Sequence, residues 1–176
     1  MKSVLISIQP KWCELIASGK KTVEVRKTKP KIETPFKCYI YCTYGEGLIE
    51  YADECIPNML IGQRVTKDRI WSNCCNGKVI GEFVCNCMTA LKADNMVQAY
   101  YNNTKDTCLT DEEIKKYANG GKLYHWHISD LVIYDKPKEL SEFHYASVLH
   151  TNCFGKHTKR VTRPPQSWCY VERSEQ

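Results

Sequence analysis

The chain has 176 residues, 43% of them hydrophobic and 26% charged, with 25 Lys and Arg against 20 Asp and Glu for a formal net charge of +5. That length suits one domain spanning residues 1–176, and the apolar share excludes a mainly disordered chain. No apolar run approaches the roughly 18 residues of a membrane-spanning helix, and the first apolar run breaks at Gln9, too early for a secretory segment.

In chain order, Val4, Ile6 and Ile8 alternate with Leu5, Ser7 and Gln9 as a first strand. Pro10 then occupies a first helical position, where its missing N–H costs nothing. A helix follows from Lys11 to about Ser18, with Trp12, Leu15 and Ile16 as its apolar stripe and Gly19 as its left-handed stop. Lys21 to Arg26 alternates strictly, with Val23 and Val25 on one face and Thr22, Glu24 and Arg26 on the other. Residues 27–35 form a loop punctuated by Pro30 and Pro35, and the aromatic run Phe36–Cys42 is a strand. Residues 45–62 read as loop with a short helix. Residues 77–88 read as a strand in which Gly81 marks a bulge or bend. Residues 92–101 read as helical. Thr110-Asp111-Glu112-Glu113 is a capping box opening a helix that closes at Gly120-Gly121. Leu123 to Tyr134 is two strands or one bent strand, residues 144–163 form an irregular insertion, and Ser167 to Glu172 is the closing strand. Short strands with two to four peripheral helices and no βαβ alternation imply an α+β domain built on a small mixed β-barrel.

Eleven cysteines without an export signal imply a reducing, cytoplasmic setting rather than a disulfide scaffold. Cys38, Cys42, Cys85, Cys87 and Cys169 lie in apolar runs, where a free thiol behaves as a small buried hydrophobe. Charge is uneven: residues 1–37 hold a balance of +6 and residues 156–176 hold +3, leaving the middle at −4. The two basic ends suggest a stripe facing a polyanion, although a merely solvated surface gives the same count.

The segment Pro10 to Arg26 contains Gly19, Lys21, Glu24 and Arg26 in the pattern Gly-x-Lys-x-x-Glu-x-Arg. This resembles the signature of ASCH domains, which belong to the PUA-like β-barrel superfamily. The resemblance runs from residue 3 to about 135 and resumes at 166–172. Similar single-domain sequences of bacteria and their prophages share the segments Trp126-His127-Ile128-Ser129-Asp130 and Pro165 to Glu172. It implies a PUA-like barrel and a concave site that takes RNA, a nucleotide or a modified base, with no cofactor and no membrane partner.

From the residues themselves, Glu24 and Arg26 lie two apart on one strand face, and Lys21 follows the turn glycine. One carboxylate flanked by two cations can hydrogen-bond a polar ring or a phosphate; a solvated polar face is the plainer alternative. Under the resemblance, Trp12, Trp126 and Trp168 would stack on a base, while Gln9, Ser129, Gln166 and Ser167 would read its edges. A catalytic alternative also follows from it. Some small ASCH proteins deacylate N4-acetylcytidine with a turn lysine and a strand threonine; Lys21 matches the lysine, Glu24 stands at the threonine position, and Glu82 would assist. Thr22 lies one pleat away. An RNase alternative would use Lys21, Glu24 and His127. His150, Cys153 and His157 have metal-like spacing in the irregular segment, without an accompanying Cys-x-x-Cys pair. Cys85 and Cys87 would share one strand face, and Cys13 has no histidine partner in sight.

Overall fold

The computed structural model describes residues 2–45, 50–51, 60–61, 75–91, 105–146 and 159–173. The helix expected at 92–101 and most of the irregular 144–163 segment lie outside these residues, as do His150, Cys153 and His157.

The first four elements follow the sequence closely. Strand β1 (Ser3–Ile8) is buried on both faces. Pro10 opens α1 (Pro10–Ala17), and Gly19 stops it with φ +71°, a conformation that a side chain would strain. Strand β2 (Val23–Arg26) follows, then β3 (Phe36–Cys42). Within 45–62, where loop and a short helix were expected, the described residues include two short strands, β4 (Glu50–Tyr51) and β5 (Leu60–Ile61), that pair antiparallel; residues 46–49 and 52–59 lie outside the described residues. Strand β6 (Val79–Leu91) changes register beside Gly81. Helix α2 (Asp111–Ala118) carries the full capping box, Thr110 accepting from the Glu113 amide and Glu113 accepting from the Thr110 amide. It ends at Asn119, in the left-handed conformation. Strand β7 (Leu123–Lys138) is one long irregular strand. A 3-10 turn (Leu140–Glu142) leads to β8 (Phe143–Tyr145), and β9 (Trp168–Arg173) closes the chain.

Seven of these strands form one mixed sheet in the order β2-β7-β6-β3-β1-β9-β8. Only the β1–β3 pair is parallel. The α+β class and the mixed sheet are as expected, but among the described residues no backbone ladder joins β2 to β1 or β9. Side chains span that gap instead. Arg26 on β2 donates to the Ser7 carbonyl on β1 at 2.6 Å, and Trp168 Nε1 on β9 donates to Thr28 Oγ1, just past β2, at 3.0 Å.

The concave interior is packed by Val4, Ile6, Ile16, Phe36, Ile40, Phe83 and Trp126, together with Cys13, Cys38, Cys42 and Cys85. A second cluster under β8 holds Leu5, Tyr39, Val79, Phe143 and Val171. Helix α2 covers the outside of β2 and β7, with Ile114 and Ala118 against Val25 and Leu123. The eight described cysteines are free thiols. Burial pushes the Cys13 and Cys38 thiols well up, Cys85 up to about 12 and Cys169 up to about 11, so these groups are unreactive at neutral pH. Cys87 departs from the expectation. The register shift between Cys85 and Met88 turns it outward, so it is exposed while Cys85 is buried, and the two do not share a buried face.

Candidate functional site

Local geometry brings Lys21, Glu24 and Arg26 together. The turn after α1 is closed by the Gly19 amide on the Ile16 carbonyl and the Lys21 amide on the Leu15 carbonyl, both at 2.9 Å. This folds the Lys21 side chain back under the start of β2. Its Nζ donates to the carbonyls of Val23 at 2.8 Å and Thr107 at 2.6 Å, and lies 3.5 Å from Glu24 Oε2. The other oxygen of Glu24 faces Arg26 Nε at 2.9 Å. Arg26 then reaches Ser7 through Nη2, and its Nη1 makes only a 3.5 Å contact with Ser167 Oγ.

The polar face of β2 is therefore not solvated. Lys21, Glu24 and Arg26 are 2%, 6% and 9% exposed, so they form an enclosed chain of two cations about one anion. Charges leave water at a cost of several kcal/mol each and persist only when paired and hydrogen-bonded. Here every contact above serves that need. Burial lowers the Lys21 pKa, and the neighbouring Glu24 carboxylate works against that shift.

The C-terminal segment completes the rim. Ser7 binds it twice, its amide to the Ser167 carbonyl at 2.9 Å and its hydroxyl to the Pro165 carbonyl at 2.6 Å. This sets Ser167 beside Arg26 and places half-buried Trp168 between Trp126 (centroids 6.1 Å apart) and Tyr170 (5.4 Å). Trp12, also half-buried, lies under the ammonium groups of Lys11 at 4.4 Å and Lys21 at 5.3 Å from its centroid. Gln9 is exposed at the cap of α1, and Gln166 is exposed beside Ser167.

Other expected site residues do not join this group. Trp126 is fully buried, edge-on to Phe36 at 5.8 Å, so it is a core residue without a free face for a base. Glu82 pairs across the ladder with Tyr39, whose side chain belongs to the second core cluster. It is therefore on the face opposite Glu24, bound by Lys37 and the Tyr134 hydroxyl. Burial pushes its carboxyl up, but these two hydrogen bonds outweigh that and hold it below the ordinary value. Ser129 donates to the Val84 carbonyl at 3.1 Å. His127 sits opposite Val23, so it shares the face of Val23 rather than that of Glu24. Cys13 is buried with its thiol on the Ile8 carbonyl. No group of metal-ligating side chains occurs among the described residues.

Sequence reasoning missed three participants. Ser7 and Thr107 meet Arg26 and Lys21 through backbone carbonyls, which carry no side-chain signal. His125 is 1% exposed beside this site, and neither of its ring nitrogens has a partner among the described residues. Its alternation with Leu123 and His127 was visible, but its place between Val25 and Thr89 in the sheet was not.

The arrangement offers donors more readily than nucleophiles. Lys21 spends its protons on two carbonyls and a carboxylate, and Glu24 is held from both sides. The loosely held Nη1 of Arg26 is the donor a ligand oxygen could take over.

The ASCH domain family model matches residues 6–43, which contain Gly19, Lys21, Glu24 and Arg26. No curated protein sequence matches the chain. Among solved structures, a serine-to-alanine mutant of an ASCH protein from Zymomonas mobilis superposes with a TM-score of 0.59 at 18% identity, covering 97% of this chain and 88% of that one. A tyrosine-to-phenylalanine mutant of the same protein gives 0.59 at 18% identity, covering 98% and 91%. Its unsubstituted form gives 0.57 at 18%, covering 97% and 87%. The family match thus covers the opening strand–helix–strand–strand, and along nearly its whole length the chain shares the α+β fold of an ASCH protein.

Proposed function

We propose that the chain binds RNA or a nucleotide and receives a base, modified or not, at the rim formed by Arg26, Ser167 and Trp168, with Trp12 beside Lys21. The Lys21–Glu24–Arg26 chain lies behind that rim and fixes it. The observation that carries this reading is the division of labour within Arg26. Its Nη2 is committed to a 2.6 Å hydrogen bond and its Nε to a 2.9 Å ion-pair contact with Glu24 that is not a hydrogen bond, whereas Nη1 has a single 3.5 Å contact to a serine hydroxyl. A carbonyl or phosphate oxygen placed there gains a charge-assisted hydrogen bond, and the exposed part of Trp168 supplies a stacking face. The family and the uneven basic charge of residues 1–37 support the polyanion part of the reading. The setting we assign is cytoplasmic; no described helix is long and apolar enough to cross a membrane.

The test is binding of single-stranded RNA and of each common nucleoside monophosphate, followed by NMR or calorimetry, for wild type, Arg26→Lys and Trp168→Ala. Arg26→Lys keeps the charge and removes the fork. Stacking is worth about 1–3 kcal/mol per base, so Trp168→Ala is expected to weaken binding by roughly tenfold or more. Folded variants that bind like wild type would remove the rim from consideration.

A further inference from the structure

Beside the rim lies a basic surface that the Lys21–Glu24–Arg26 chain does not use. Arg26 stands opposite Tyr124 in the β2–β7 register. Two lysines converge on the Tyr124 ring: Lys29 Nζ at 5.8 Å and Lys122 Nζ at 5.4 Å from its centroid. Lys27, the next residue after β2, lies 5.0 Å from the ring of Tyr117, which is 37% exposed on the last turn of α2. All three lysines are exposed, and among the described residues their ammonium groups make no ion pair with a carboxylate. Lys115 and Lys116 are exposed on the same turn of α2.

Ordinary surface lysines are interspersed with acids, so that their fields cancel. Lys27, Lys29 and Lys122 are grouped from two places in the sequence, and two tyrosine rings hold them by cation–π contact. Unneutralised cations interleaved with aromatic faces are what a single-stranded nucleic acid requires, since phosphates take the cations and unpaired bases take the rings. A duplex hides its base faces and uses only the charge.

We infer that Lys27, Lys29 and Lys122, arrayed about Tyr117 and Tyr124, hold the backbone of single-stranded RNA as it leads to the Arg26 rim, so that the partner is a polynucleotide rather than a free nucleoside. The inference rests on the function proposed above and specifies its substrate class.

The experiment uses the full chain, a fluorescent single-stranded RNA of about 12 nucleotides and cytidine monophosphate, over a salt series. Wild type is compared with the triple variant K27A/K29A/K122A and with Tyr117→Ala, and thermal unfolding reports the fold. The triple variant is expected to lose at least about tenfold in RNA affinity. Its dependence of log affinity on log salt should become shallower by about 2, since single strands contribute roughly 0.7 per neutralised phosphate. Monophosphate binding should stay as in wild type. Tyr117→Ala is expected to lower RNA affinity without changing the salt slope, because stacking releases no counterions. RNA binding with affinity and slope unchanged in the triple variant overturns this surface and leaves the rim standing. Monophosphate binding without RNA binding does the same. A wild-type protein that binds neither probe overturns both readings together.

Discussion

Arg26 joins an edge strand of the sheet to an interior strand that the backbone ladder leaves apart from it. Its guanidinium on edge strand β2 donates to the carbonyl of Ser7 on β1, 2.6 Å away, although β7, β6 and β3 lie between those strands in the ladder. Ser7 also grips the C-terminal segment through its amide and hydroxyl. One guanidinium thus connects the first strand, the strand that carries Glu24 and Arg26, and the segment before the last strand, and its position is fixed by fold closure and rim geometry together.

Arg26→Ala is therefore expected to cost stability as well as binding. Removing one partner of a buried ion pair leaves the other uncompensated, which typically costs about 3–5 kcal/mol. Here Glu24 loses its 2.9 Å partner and the Ser7 carbonyl loses its donor. Chemical denaturation of the variant measures this. A loss below about 1 kcal/mol, the range of exposed pairs, would mean that water reaches the pair in solution.

Glu24 serves two cations, so its loss and that of Lys21 should not add. Glu24→Gln leaves Lys21 and Arg26 as two enclosed like charges, while Lys21→Met leaves the Val23 and Thr107 carbonyls without their donor. Removing both charges relieves part of the strain created by either. The coupling from a double-mutant cycle is expected in the range of about 0.5–3 kcal/mol for residues in contact. Strict additivity would show that the 3.5 Å approach of Lys21 to Glu24 has no energetic weight.

The local devices were legible in the sequence because each is written within a few residues. Pro10 and Gly19 bound α1, the Thr110–Glu113 box opens α2, and the alternation in 21–26 places Glu24 and Arg26 on one face. What lies on the far side of that face was not legible. Alternation shows that two residues share a face; whether solvent or β1 covers it depends on contacts more than a hundred residues away, such as Ser167 on Arg26. The same limit explains Glu82 and Trp126. Pairing with Tyr39 puts Glu82 on the face opposite Glu24, and complete burial puts Trp126 in the core.

Gly81 marks one such bulge, and its lack of a side chain is required. A Cβ built there would lie 2.4 Å from the Val132 carbonyl oxygen and 3.2 Å from the Ile133 Cα, both backbone atoms of β7. Neither can swing aside as a side chain end would, so β6 and β7 must separate. Gly81→Ala is expected to destabilise the protein by about 1–3 kcal/mol, the usual cost of overpacking, read from the denaturation midpoint. An unchanged midpoint would mean that the two strands are further apart in solution.

His125 should make the fold sensitive to mild acid. It lies between Val25 and Thr89 in the ladder, and burial pushes its pKa from 6.5 down to about 4, with His127 and Lys21 adding like-charge repulsion. The unfolded chain binds a proton near pH 6.5, whereas the folded chain does not until about pH 4, so the unfolded state holds more protons between these limits. Stability must then fall as the pH drops through that window and level off below it. The difference of about 2.5 pH units corresponds to at most about 3.5 kcal/mol. His125→Phe removes the titrating group and two buried nitrogens that lack partners. The variant is expected to be at least as stable as wild type at neutral pH, and its stability should vary less between pH 6.5 and 4. Equal pH dependence in the two proteins, measured by denaturation at a series of pH values, would assign the acid sensitivity to other groups.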